Sequence, residues 1–82
     1  MEIEVVGPGC ANCRRLYQEV QRALAQSGQP ATVTKVEAME AIAARGLLRT
    51  PGLVIDGRVV AYGRVPPVAE IVTMITTALA NP

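Results

Sequence analysis

Hydrophobic and polar positions along the chain form short blocks whose period alternates between two and about 3.6. Glu2-Ile3-Glu4-Val5-Val6 reads as a strand, with Ile3 and Val5 on one face and Glu2, Glu4 and Val6 on the other. Gly7-Pro8-Gly9 breaks it. A helical pattern follows, from Arg14 to Ser27, and Cys13 just before it joins Leu16, Val20, Ala23 and Leu24 in one apolar stripe. Gly28 suits the helix end and Pro30 blocks its continuation. Ala31 to Val36 alternates again and predicts a second strand. An Ala-rich stretch from about Glu37 to Arg45 predicts a short helix with Met39 and Ile42 facing inward, ended by Gly46. Leu53 to Ile55 predicts a third strand. Asp56-Gly57 is a strong hairpin signal, so Arg58 to Tyr62 is a fourth strand antiparallel to the third. Pro66-Pro67 opens a last helix, with Val68, Ile71, Val72, Ile75 and Leu79 as its stripe and Asn81-Pro82 as a frayed end.

The order β-α-β-α-β-β-α places the chain in the α/β class. The first strand–helix–strand unit calls for a parallel, right-handed crossover. A four-stranded mixed sheet flanked by three helices follows, with helices on both faces.

Composition narrows the function. Eighty-two residues, half of them apolar, suit one domain spanning 1–82 with a core of Val, Ile, Leu and Ala, since Phe and Trp are absent. A net charge of +1 with both signs interspersed gives no footprint for nucleic acid. No apolar run approaches the roughly 18 residues of a membrane span, and the acidic start Met1-Glu2-Ile3-Glu4 is unlike a signal peptide, so the expected location is the cytoplasm. There a structural disulfide is disfavoured, and two close cysteines point to catalysis or metal binding. With no histidine, Cys-His catalysis and a Cys2His2 zinc site are excluded.

Both cysteines, Cys10 and Cys13, stand at the start of the first helix, separated by Ala11 and Asn12. A helix N-terminus and neighbouring cations lower a thiol's pKa from about 8.5. As the helix N-cap, Cys10 can accept the N–H of Cys13. Arg14 and Arg15 add positive charge, and Gly9 leaves the Cys10 sulfur open. Cys13 belongs to the packed stripe. These unequal settings suit a two-step exchange in which Cys10 attacks a disulfide and Cys13 displaces the product.

Thr50-Pro51 is the second marker. Proline directly before a buried strand is unusual unless the turn is special, and X-Pro is where cis bonds occur. The expectation is a cis Thr50–Pro51 bond beside the dithiol, with the Thr50 backbone left to pair with an extended substrate segment.

These features resemble the thioredoxin fold: a strand, Gly9-Cys10-Ala11-Asn12-Cys13 at the next helix start, Thr50-Pro51-Gly52 before a hairpin, Gly63, and a final helix. The short length resembles the small glutaredoxin-like thioredoxins of archaea and bacteria. The resemblance implies a thiol–disulfide oxidoreductase that reduces protein disulfides, with Cys10 as nucleophile, Cys13 as resolving thiol and Pro51 in cis. It implies a substrate contact surface at Gly9, Ala11, Asn12, Thr50 and Pro51. It implies no cofactor beyond the redox-active Cys10–Cys13 disulfide, and a reductase or thiol donor as partner; a dithiol exchanger works best with its site exposed, so the expected state is a monomer. Thioredoxins carry an acid six residues before the first cysteine, the offset of Glu4, so Glu4 joins Arg14 as a candidate for tuning the thiols. Gly63-Arg64-Val65-Pro66 lacks the acidic glutathione-holding segment of glutaredoxins, although Arg49 or Arg64 could attract glutathione carboxylates.

Two alternatives use the same cysteines: a copper(I)-binding module, since soft Cu(I) favours two thiolates, or a redox-sensing module. Copper chaperones carry a Met-containing loop before the first cysteine and end on a strand. Here Pro8-Gly9 stands in that place and the chain closes on a helix.

Overall fold

The first strand, β1 (Glu2–Val6), lies inside the sheet of a computed structural model that describes residues 1–81. It leads into α1 (Ala11–Ser27), followed by β2 (Thr32–Val36), α2 (Met39–Ala44), β3 (Gly52–Ile55), β4 (Arg58–Tyr62) and α3 (Val68–Ala80). The sheet order is β2-β1-β3-β4. β1 runs parallel to β2, with Val6 opposite Val36, and antiparallel to β3, with Val6 opposite Gly52. β3 and β4 are antiparallel across the Asp56-Gly57 turn, where both residues have positive φ, 47° and 84°. Leu53 pairs with Ala61 but Val54 pairs with Val59, so Val60 bulges from β4. The sheet and its helices are those of a thioredoxin-like α/β fold. Pro82 lies outside the described residues, so the expected frayed end is described only to Asn81.

Alternation along β1 divides the interior into two cores. Ile3 and Val5 face α1 and α3, where Leu16, Val20, Ala23, Leu53, Ile55, Ile71 and Ile75 close around them. Val6 faces the other way, with Val36, Ile42 and Val54, under α2. Each fully buried Leu or Ile contributes about 1.5–3 kcal/mol relative to exposure, so the first core carries most of the stability.

Two inward assignments are corrected. Met39 is 68% exposed; it is the first residue of a six-residue helix, and Ile42, one turn later, is the side chain that reaches the sheet. Leu79 is 51% exposed, and Ala78 packs on the core instead. At about 100° per residue, position 78 falls roughly 20° from Ile71 around the helix and position 79 roughly 80° away. Among the described residues, no helix is long and apolar enough to cross a membrane.

Candidate active site

The end of β1 delivers the chain to the cysteines. Gly7 N–H continues the β1–β2 ladder by donating to Val36 O at 2.9 Å. Gly9, at φ 92°, then turns the chain into α1, a conformation that disfavours any side chain. Cys10 caps the helix in an extended conformation, and its Sγ accepts the Cys13 N–H at 3.1 Å. Cys10 and Cys13 form a disulfide with their Cα atoms 5.0 Å apart. Their settings differ sharply: Cys10 is exposed, as are Ala11 and Asn12, whereas Cys13 is 5% exposed and continues the α1 stripe.

Gly7 forms the wall behind Cys13. A Cβ on Gly7 would collide with Cys13 Sγ and would stand 3.5 Å from Thr50 Cβ. Thr50 is thus placed beside the buried sulfur of Cys13, although it lies far along the sequence. The Thr50–Pro51 peptide bond is cis, and Pro51 is buried. Pro51 O accepts Gly63 N–H at 2.8 Å, tying this lip to the end of β4. Among the described residues, none of the turn and loop backbone bonds uses Thr50, which precedes the first paired residue of β3.

Behind the disulfide lies a cavity of about 20 Å³ bordered by Val5, Gly7, Gly9, Cys13, Arg14, Lys35 and Glu37. That is room for one water. Its charged lining comes from Lys35 of β2, Glu37 just after that strand and Arg14 of α1. A Cβ on Gly9 would lie 3.2 Å from Glu37 Oε2. Lys35 also stacks over Tyr17, 4.4 Å from the ring centroid. Arg14 donates to Gly9 O at 2.9 Å, bracing the loop.

Glu4 is held elsewhere. It faces the α2 side of β1, where Arg45 grips its carboxylate at 2.7 and 3.1 Å. That hollow also includes Val54, Gly57 and Val59, next to the hairpin. Hydrogen bonding from Arg45 holds the Glu4 carboxyl below the usual range, with burial opposing. So the acid at the expected offset is engaged by a structural partner, and Glu37 is the carboxylate bordering the dithiol cavity. The pairing was hidden because Arg45 is 41 residues from Glu4. Arg64 is likewise taken, by Glu70.

Sequence reasoning passed over Gly7, Lys35 and Glu37. The available signal for Lys35 and Glu37 was topological: a parallel β2 must end beside the end of β1. Among the described residues, no three His, Cys, Asp or Glu side chains converge on one point.

A family model described as thioredoxin domain matches residues 1–76. A thioredoxin of Methanothermobacter thermautotrophicus is 38% identical over 71 residues, covering 87% of this chain and 92% of the relative. A thioredoxin of Methanocaldococcus jannaschii is 35% identical over 69 residues, covering 84% of this chain and 79% of the relative. The exposed and buried members of one cysteine pair suit exchange with a disulfide better than enclosure of a copper ion.

Proposed function

This chain belongs to the thioredoxin family of thiol–disulfide oxidoreductases, and from that premise we propose that it reduces protein disulfides through Cys10 and Cys13. The observation that carries the reading is the inequality of the pair: an exposed N-cap sulfur joined to a buried one.

In the reduced protein, the Cys10 thiolate accepts the Cys13 N–H, and the helix dipole stabilises its charge. It attacks one sulfur of a substrate disulfide. That S–S bond breaks, the departing sulfur leaves with the electron pair and takes up a proton, and Cys10 is left in a mixed disulfide. Cys13 then gives up its proton and attacks Cys10 Sγ. The mixed disulfide breaks, the second substrate sulfur leaves as a thiol, and the Cys10–Cys13 disulfide forms. Two electrons have passed to the substrate. Glu37, across the one-water cavity, receives the Cys13 proton. A reductase or small thiol restores the pair.

Thr50 offers its backbone to an extended substrate segment, with Pro51, Gly9, Ala11 and Asn12 as the surrounding contact surface. Arg14 acts by bracing the loop that presents Cys10. We assign no cofactor beyond the dithiol, and residues 1–82 act as a single, monomeric domain in the cytoplasm.

The test is reduction of insulin disulfides, driven in turn by a thioredoxin reductase and by glutathione. Turnover by wild type that is lost in both Cys10→Ser and Cys13→Ser supports the reading. Stoichiometric copper(I) binding without turnover contradicts it.

A further inference from the structure

Arg49 stands directly before the cis-proline lip with no acidic partner. Its stem is fixed against Gly63: a Cβ on Gly63, whose φ of 71° already disfavours one, would lie 3.2 Å from Arg49 Cδ and 3.3 Å from Arg49 Cβ. Gly63 N–H in turn holds Pro51 O at 2.8 Å. The Arg49 stem, Gly63 and the Thr50–Pro51 lip are therefore one connected unit.

Arg22, Arg45 and Arg64 are neutralised by Glu19, Glu4 and Glu70. Among the described residues, Arg14, Arg15, Lys35, Arg49 and Arg58 have no carboxylate within ion-pair distance, and all but Arg58, beside the hairpin, stand at the dithiol end of the sheet. Arg14 is bound to Gly9 O, Arg15 reaches Asn12 Oδ1 at 3.5 Å, and Lys35 borders the cavity behind Cys13. The carboxylates at that end are Glu37, on the same cavity, and Glu40, in the first turn of α2. Glu2 and Asp56 sit at the opposite end, where Asp56 Oδ1 accepts Glu2 N–H. A chain whose net charge is only +1 therefore concentrates its excess positive charge around the disulfide.

We propose that Arg49 is a specificity-determining residue that selects protein disulfides flanked by aspartate or glutamate. The proposal rests on the dithiol-exchange reading above. A substrate segment pairing with the Thr50 backbone runs past the Arg49 guanidinium, and a carboxylate on that segment meets an unpaired cation. Arg14 and Arg15 attract the same segment from the α1 side. Complementary charge of this kind raises the encounter rate and weakens with salt.

Two peptides sharing one disulfide, flanked by glutamate in the first and lysine in the second, provide the test. The readout is the second-order rate of reduction by the fully reduced protein. Wild type reduces the glutamate peptide about five-fold faster or more at low salt, and the preference shrinks at high salt. Arg49→Gln lowers the preference and Arg49→Glu reverses it. Arg58→Glu, the same charge change beside the hairpin, keeps it. Equal rates on both peptides, a preference unaffected by salt, or an Arg49→Glu profile matching wild type overturns the proposal. Faster reduction of oxidised glutathione than of the glutamate peptide overturns the choice of a protein segment over a small thiol. Uncharged hydroxyethyl disulfide separates the two levels of the argument. If it too is left unreduced, dithiol exchange fails; if it is reduced while the peptides are treated alike, only the role of Arg49 fails.

Discussion

Gly7 Cα lies so close to Cys13 Sγ that no Cβ fits between them. The buried sulfur therefore depends on a glycine six residues earlier, at the end of the central strand. Gly7→Ala must push Cys13 outward or bend the loop. We expect a loss of about 1–3 kcal/mol, the usual cost of overpacking a tight site, read as a fall in the thermal midpoint. Disulfide reduction by the variant should slow as well. A variant with wild-type stability and rate would show that the wall is not tight in solution.

The two cysteines should fail differently. Cys10→Ser should neither react with a disulfide nor form an adduct. Cys13→Ser should still attack and then stall, leaving a mixed disulfide on Cys10 that intact-mass spectrometry detects. Accumulation of the adduct on Cys13 in Cys10→Ser would invert the assignment.

Glu37→Gln tests the cavity behind Cys13. The variant should form the mixed disulfide at the wild-type rate but resolve it more slowly, by about ten-fold or more for a lost proton acceptor. Stopped-flow measurement of the two phases distinguishes this from a general loss of activity.

The Glu4–Arg45 pair predicts a pH dependence of stability. The folded Glu4 carboxyl is held below its ordinary range by Arg45, so the unfolded chain binds the proton more readily. The pair's contribution is present above the unfolded carboxyl pKa of about 4.3 and is lost as pH falls through the folded value. Unfolding of wild type and Glu4→Gln, compared from pH 7 down to pH 3, should show a gap that narrows with acidification. A constant gap would mean that the pairing contributes nothing through ionisation. Disulfide reduction by Glu4→Gln should stay near wild type, because the carboxylate faces α2 near the hairpin.

Much of this was legible in the chain because local rules carried it. The Gly-Pro-Gly break, the N-cap position of Cys10, the stripe of α1 and the Asp56-Gly57 hairpin each follow from residues close in sequence. Long-range pairings were not legible. Nothing near Glu4 announces Arg45, and nothing near Gly7 announces that Cys13 packs against it. Helix ends were the other weak point. Met39 and Leu79 fit an apolar period, yet one stands at the very start of α2 and the other faces away from the sheet near the end of α3. Periodicity reports which face of a helix is apolar, but how much of that face is covered depends on where the sheet ends.

The most direct test of unequal cysteines is the pH dependence of alkylation in the reduced protein, with each labelled site mapped by mass spectrometry. Cys10 should be alkylated first, with an apparent pKa below the roughly 8.5 of an ordinary thiol, while Cys13 stays unlabelled over the same interval. Equal labelling of both cysteines, or a Cys10 pKa at or above that of an ordinary thiol, would contradict the account.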